Sequence, residues 1–294
     1  MLQIDSPQTP IEEIKWPLLK EKGLRLFIKR EDISHPYISG NKWRKLKYHL
    51  LEADKFGKNT LVTYGGAFSN HILATAAAGA KYGFRTYGFI RGERVENTVL
   101  QLSELFGMEL HFVSRTDYKE KGQLFQKQFG LNQNVYEIPE GGGGELGEKG
   151  VAEMLVDIKD FKCNHLFTSV GTGSTLKGIL QGIGKQSLSI KAHGIVVLKG
   201  AEEMANEYHS FDSNLYRLHF NFHRGGYAKS DSELIDFIKS FASKTGILLD
   251  QVYEGKMLMG ILSLAEQNYF EPGESILAIH NGGVIGLTGL MDIK

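Results

Sequence analysis

The stretch 39–50, SGNKWRKLKYHL, sets a lysine where a reactive amine is made. Gly40 permits a close backbone approach, and Asn41 is a favoured N-cap. Lys42 then falls on the first turn of the helix this pattern predicts. A cation there faces the positive end of the helix dipole. Lys45, three residues on and so on the same face, adds a second positive charge. Both effects favour the neutral amine, the form that makes an imine with an aldehyde cofactor. The plainer alternative is a solvated basic face of Arg44, Lys45 and Lys47.

In open α/β sheets, ligands bind where strands end and helices begin, and several such loops here carry glycine. The strongest is SVGTGSTLKG, 169–178. Gly171 and Gly173 let the backbone close on an anion, and Thr172, Ser174 and Thr175 offer hydroxyls. With the helix dipole behind them, they predict a phosphate monoester site; a tight turn with a serine cap is the alternative. The Gly-x4-Gly-Lys-Ser/Thr spacing of a P-loop is absent. Gly142, Gly144 and Gly147 match the Gly-x-Gly-x-x-Gly dinucleotide spacing, but the next strand, HLFTSVG, lacks the acidic residue that would hold a ribose. In GGAFSNH, 65–71, Ser69 or Asn70 reads as a helix cap; beside a cofactor, the Asn70 amide can instead bond a polar ring substituent. QVYEGK, 251–256, puts Tyr253 beside Glu254, which local sequence alone explains as a core ring and a first-turn carboxylate. His280, at the end of a strand, is expected to be structural, and Met257 and Met259 to pack the core. The histidines show no H-E-x-x-H or other close ligand pair, and no G-x-S-x-G elbow is present, so metal hydrolase and serine hydrolase chemistry lack support.

These loops need elements to hold them. After an irregular lead-in over 1–23 with one short helical stretch, strands are expected at 24–32, 60–65, 85–92, 109–114, 135–140, 165–171, 191–200 and 275–283. Helices are expected from Lys42 to about Phe56 and at 69–83, 97–107, 117–130, 145–159, 173–184, 201–209, 232–246 and 255–270, with 211–229 less regular. Strand–helix alternation means βαβ units and mostly parallel sheets covered on both faces. The expected fold class is therefore α/β with two doubly wound open-sheet domains. Residues 1–43 and 152–294 form the large one, and 44–151 the small domain inserted in it.

Lys+Arg and Asp+Glu balance at 34 each, so bulk charge predicts neither nucleic-acid nor acidic-membrane binding. One cysteine, Cys163, excludes an intrachain disulfide and is expected to be an inert thiol. No apolar run reaches membrane-spanning length, and the N-terminal residues do not read as a signal peptide; the cytoplasm is the expected compartment.

Taken in order, SGNKWRKL, GGAFSNH, VGTGSTLKG, VYEGK and HNGG resemble the 1-aminocyclopropane-1-carboxylate deaminase/D-cysteine desulfhydrase family, pyridoxal-phosphate enzymes of the tryptophan synthase β-like fold (fold type II). The resemblance implies that Lys42 forms the internal aldimine with pyridoxal 5'-phosphate and that Lys45 lies near the phosphate, which Gly171, Thr172, Gly173, Ser174 and Thr175 cup. It likewise implies Asn70 beside the phenolic oxygen, Ser69 near the substrate carboxylate and Glu254 near the pyridine nitrogen, with Tyr253 and Tyr227 as active-site tyrosines. The implied activity releases a 2-keto acid and ammonia from a small amino acid, and the implied assembly is a homodimer.

Three positions divide over the substrate. His71 follows desulfhydrases, where deaminases carry Gln. Glu254 follows deaminases, where desulfhydrases often carry a hydroxyl residue. Asn281 matches neither the Leu of the one nor the Thr of the other. The 141–150 loop also departs from the family pattern. Two other classes remain as alternatives: a nicotinamide-dependent oxidoreductase using the 141–147 loop, and a non-catalytic small-molecule binding protein.

Overall fold

The computed structural model describes residues 2–287. Met1 and residues 288–294, which the expected large domain includes, lie outside them. The chain opens with β1 (Ile11–Ile14), α1 (Pro17–Glu21), β2 (Arg25–Lys29) and α2 (Asn41–Lys55). Next come β3 (Thr60–Gly66), α3 (Asn70–Tyr82), β4 (Arg85–Arg91), α4 (Thr98–Leu105), β5 (Met108–Val113), α5 (Lys121–Phe129), β6 (Val135–Glu137) and α6 (Gly144–Asp157). The remainder is β7 (His165–Val170), α7 (Ser174–Gln186), β8 (Lys191–Val196), β9 (Tyr216–His219), α8 (Ser232–Thr245), α9 (Glu254–Glu266) and β10 (Ser275–Ile279).

The strands make two sheets, ordered β1-β2-β10-β7-β8-β9 and β5-β4-β3-β6. β1 pairs antiparallel with β2; the other pairings in both sheets are parallel. Central parallel strands are covered on both faces, so they read as near-continuous buried runs rather than alternating ones. In β3, Leu61, Val62, Thr63 and Tyr64 are all buried. One face of the large sheet packs on α8 and α9 through Phe241, Leu258 and Ile261, and the other on α6 and α7 through Leu155, Ile179 and Ile183.

Local chemistry sets the helix ends. Asn97 Oδ1 accepts from Leu100 N at 2.9 Å, and Asp231 Oδ1 from Leu234 N at 2.9 Å, each filling one of the orphan donors of a helix start. Gly83, in the left-handed region at φ 80°, closes α3.

Four expectations need correction. Residues 11–14 add a strand to the irregular lead-in, and β9 lies within 211–229; both are four-residue strands at the ends of the large sheet, too short to show a period. Residues 202–208 form a 3₁₀ helix rather than an α-helix. Arg44 does not belong to a solvated face. It is 1% exposed, donating to Glu31 at 2.9 Å and to Asp157 at 2.7 Å. No helix among the described residues is long and apolar enough to cross a membrane.

Candidate active site

The carboxyl ends of the strands in both sheets open on one cleft of about 570 Å³, a volume typical of small-molecule sites. The start of α2 forms part of it, held by backbone-on-backbone packing. Gly40 sits at φ 65°, and a Cβ there would fall 1.8 Å from Asn281 O. No other residue fits, so the SGNK and HNGG loops are locked together. Gly40, not Asn41, occupies the cap position of α2. The Asn41 side chain instead crosses to α7, where Nδ2 donates to Thr175 Oγ1 at 2.9 Å.

Lys42 and Lys45 both reach the cleft, as their spacing predicts. Lys45 is 2% exposed and donates to Ser174 Oγ at 2.7 Å. Lys42 Nζ has only a long contact, 3.4 Å, to Gly141 O. Burial lowers the Lys42 pKa to about 8; desolvation does what the sequence assigned to the dipole. Burial also pushes Lys45 well down, with Lys42 adding to the effect.

At the head of α7, Gly173 takes φ 84° and its carbonyl accepts from the Tyr208 hydroxyl at 3.0 Å. Thr172 Oγ1 and Ser174 Oγ lie 3.2 Å apart, and Gly171 passes so close to Tyr253 that a Cβ would meet its ring at 3.1 Å. Glu254, at the start of α9, is fully buried. Its Oε1 accepts from Ser169 Oγ at 2.8 Å and from Asn281 Nδ2 at 3.2 Å, while Oε2 has no partner. Burial, with Asp250 nearby, raises its pKa well above the usual carboxylate range. Capping α9 falls to Asp250, whose carboxylate accepts from the backbone N–H of Val252, Tyr253 and Glu254 at 2.9–3.1 Å, so the Glu254 carboxyl is left for the cleft.

Ser69 occupies the cap position of α3 but makes no capping hydrogen bond. Asn70 packs under Gly283, where a Cβ would lie 2.7 Å from its Nδ2. Tyr227 and Tyr253 meet edge to face with centroids 6.0 Å apart. Burial raises both hydroxyl pKa values, that of Tyr253 the further, and each ring's hydroxyl acts on the other's ionisation. All the predicted site residues except Ser174 line this one cleft, and the Ser174 hydroxyl accepts from Lys45, which does.

Sequence reasoning gave several groups no place in the site, His71 being weighed only as a marker of substrate type. His71 lines the cleft, 1% exposed. Thr63 donates its hydroxyl proton to Ile138 O at 3.0 Å, so the 2.7 Å contact with His71 Nε2 makes that nitrogen the donor. His71 Nδ1 is then a bare acceptor. Ser169 and Asp250 were not picked out, and Asn281 was weighed only as a marker of substrate type; the hydrogen bonds around Glu254 give them their place. Packing accounts for Gly147 of the Gly-x-Gly-x-x-Gly spacing, where a Cβ would lie 1.9 Å from Gly142 O; at Gly150, outside that spacing, a Cβ would lie 1.9 Å from Arg44 O, where α6 crosses α2. His280 is structural as expected, its Nε2 against Leu248 O at 2.7 Å. Cys163 is buried, its thiol pKa pushed up to about 12 by desolvation.

Residues 4–282 match the profile of the pyridoxal-phosphate dependent enzymes. The chain belongs to that family. It is 33% identical over 300 residues, 95% of each chain, to a Thermotoga maritima protein provisionally named 1-aminocyclopropane-1-carboxylate deaminase. An Arabidopsis thaliana bifunctional D-cysteine desulfhydrase/1-aminocyclopropane-1-carboxylate deaminase is 30% identical, covering 97% of this chain and 78% of the relative. A crystal structure of an ACC deaminase homologue superposes with a TM-score of 0.86 at 27% identity, covering 97% of this chain and 92% of that one. The fold is the fold-type II architecture of these enzymes, and the cofactor is pyridoxal phosphate. The enzyme's cleft fits that cofactor on its own chemistry. It offers an uncommitted amine at Lys42, hydroxyls and a helix N-terminus at 171–175, and a buried carboxyl with one bare oxygen at Glu254.

Proposed function

We propose that this enzyme releases a 2-keto acid and ammonia from a small amino acid of the 1-aminocyclopropane-1-carboxylate or D-cysteine kind, the substrates in its relatives' names. The observation that carries the reading is an uncommitted Lys42 amine, with a pKa of about 8, in the same cleft as the bare oxygen of Glu254. Pyridoxal phosphate, when bound, supplies an aldehyde and an electron-accepting ring. Lys42 is the amine that anchors it. Lys45 and the turn from Gly171 to Thr175 bind its phosphate, Asn70 orients the ring at its phenolic oxygen, and Glu254 holds a proton at the ring nitrogen. Ser69 binds the substrate carboxylate.

Once a substrate amine frees it, Lys42 is a base close to neutrality, suited to taking a proton. With D-cysteine it removes the α-hydrogen and sulfide leaves from Cβ; water completes pyruvate and ammonia. With 1-aminocyclopropane-1-carboxylate there is no α-hydrogen, so Tyr253 or Ser69 acts at a ring carbon, with Tyr227 beside Tyr253, and water completes 2-oxobutanoate and ammonia. The protonated resting state of both tyrosines suits proton donation and return.

The chain is taken to divide into 1–43 with 152–294 and 44–151, following the two sheets. It is further taken to work as a cytoplasmic homodimer; sedimentation of the purified protein tests the dimer. The functional test is keto-acid release from the two substrates in parallel. 2-Oxobutanoate from the cyclopropane marks a deaminase, and pyruvate with sulfide from D-cysteine alone marks a desulfhydrase. Release from neither, with cofactor bound, refutes the proposal.

A further inference from the structure

Lys256 is a cation with two reasons not to be where it is. It lies in the first turn of α9, against the helix dipole, and it is fully buried, 0% exposed. A buried charge is costly, and an apolar side chain of similar size is often no worse for stability. None of the chemistry above uses it. Its ammonium makes one hydrogen bond, a 2.7 Å donation to Gly226 O. Asp250 and Asp231 lie near enough to favour its charge, Arg224 near enough to oppose it, and burial lowers its pKa to about 8.

The acceptor belongs to an unusual segment. Across HRGGYA, 223–228, four residues have positive φ: Arg224 at 47°, Gly225 at 89°, Gly226 at 114° and Ala228 at 55°. Arg224 and Ala228 are side-chain-bearing residues in a region they seldom adopt, and such a backbone persists only where its surroundings over-determine it. Several contacts do this. Arg224 pairs with Asp231 at 2.8 Å and with Glu233 on the solvent side, the Lys229 N–H donates to Gly226 O at 3.2 Å within the loop, and Lys256 is the side chain that holds the same carbonyl from within. Tyr227 stands between Gly226 and Ala228, 39% exposed, with its ring against Tyr253.

We propose that Lys256 is a positioning residue: its hydrogen bond to Gly226 O holds the strained 223–229 loop in place and so sets Tyr227 against Tyr253 in the cleft. The inference rests on the functional reading for the consequence in turnover, and on the loop geometry alone for the restraint itself.

The test uses the cofactor-loaded enzyme and Lys256→Met, which keeps an apolar stem and removes the donor. Trypsin has sites at Arg224 and Lys229, so the loop's release is read without any turnover. Cleavage there is expected to be at least about tenfold faster in the variant, because opening of a local segment sets its proteolysis. In the keto-acid assay, kcat is expected to fall about tenfold with KM within about twofold, as misplacement of a group at the reacting centre does. Tyr227→Phe should lose a similar factor, and the double variant no more than Tyr227→Phe alone, since the two act as one unit. If Lys256→Met does not fold, Gly226→Ala, strained at φ 114° with a Cβ 3.3 Å from Lys199 Cβ, disturbs the same loop and should show the same cleavage. Unchanged cleavage, or losses that multiply in the double variant, would overturn the proposal. A wild-type enzyme without keto-acid release sinks the functional reading instead, while the cleavage rate still decides the loop.

Discussion

Two regions of this molecule bury titratable groups, and they treat them in opposite ways. Across β7, β8 and β9 runs a ladder of histidines. Glu274 meets His165 Nε2 at 3.0 Å, His165 Nδ1 meets His193 Nε2 at 3.0 Å, and His193 Nδ1 meets His219 Nε2 at 3.1 Å. His193 is fully buried and stacks on Phe167 at 4.3 Å. Its pKa is held down to about 2, by burial first and then by the neighbouring histidines. In the ladder both nitrogens of His165 and of His193 are engaged. In the cleft, Lys42 has one long contact, and Glu254 Oε2, His71 Nδ1 and Asn281 Oδ1 have no partner. Shifted pKa values occur in both regions, so shift alone does not mark a site. What separates them is the bare polar atom facing a cavity, which costs stability unless a ligand meets it.

The sharpest way to break this contrast is at Lys42. Lys42→Ala should reduce keto-acid release by at least about a thousandfold, since it removes both the anchoring amine and the base; parallel kcat measurements check this. Glu254→Gln should reduce kcat on the order of a hundredfold, the scale for losing one preorganised electrostatic partner. Its melting temperature should hold or rise, because no hydrogen bond is lost at Oε2 and a buried ionisable group is removed. The ladder should behave in reverse. His193→Ala leaves a cavity and two unpaired imidazole nitrogens, so it should cost about 3 kcal/mol in denaturant unfolding, with kcat of the folded fraction within about twofold.

The smallest effect is in the pH dependence of stability. The pKa values of His193 and His219 are lowered in the folded state, that of His219 to about 4, by burial and then by Arg217 and Lys191. The unfolded chain binds protons first as pH drops through 6.5, so stability should fall from there toward pH 4. For the cofactor-free protein, Lys42 is depressed to about 8 against an ordinary 10.5. The unfolded state holds the extra proton between those values, so stability should rise with pH across that window. Loading the cofactor should remove the Lys42 share of the alkaline rise, keep the share due to Lys256, and leave the acid fall, which melting curves across pH would show.

Much of this was legible in the sequence because the informative features are local. Strand–helix alternation and the SGNK and GTGST loops each carry their physics within a few residues. β1 and β9 were not legible, since four residues cannot establish a period and their pairing partners lie elsewhere in the chain. Arg44 read as surface because the sequence does not place Glu31 and Asp157 around it. The roles of His71, Asn281 and Lys256 likewise depend on Thr63, Glu254 and Gly226, partners brought close only by folding.

Of the buried or half-buried lysines with lowered pKa values, Lys29 is held at Thr9 O and Glu31; Lys42, Lys45 and Lys256 compete for one role, and a single experiment separates them. Lys45 is committed to Ser174 and Lys256 to Gly226, while Lys42 is free. Borohydride reduction of the yellow, cofactor-loaded enzyme, followed by peptide mapping, should find the cofactor on Lys42 alone, and the Lys42→Ala variant should retain no borohydride-stable cofactor. Stable label on Lys45 or Lys256, or label that survives Lys42→Ala, would contradict the claim that the uncommitted group in the cleft is where the chemistry begins.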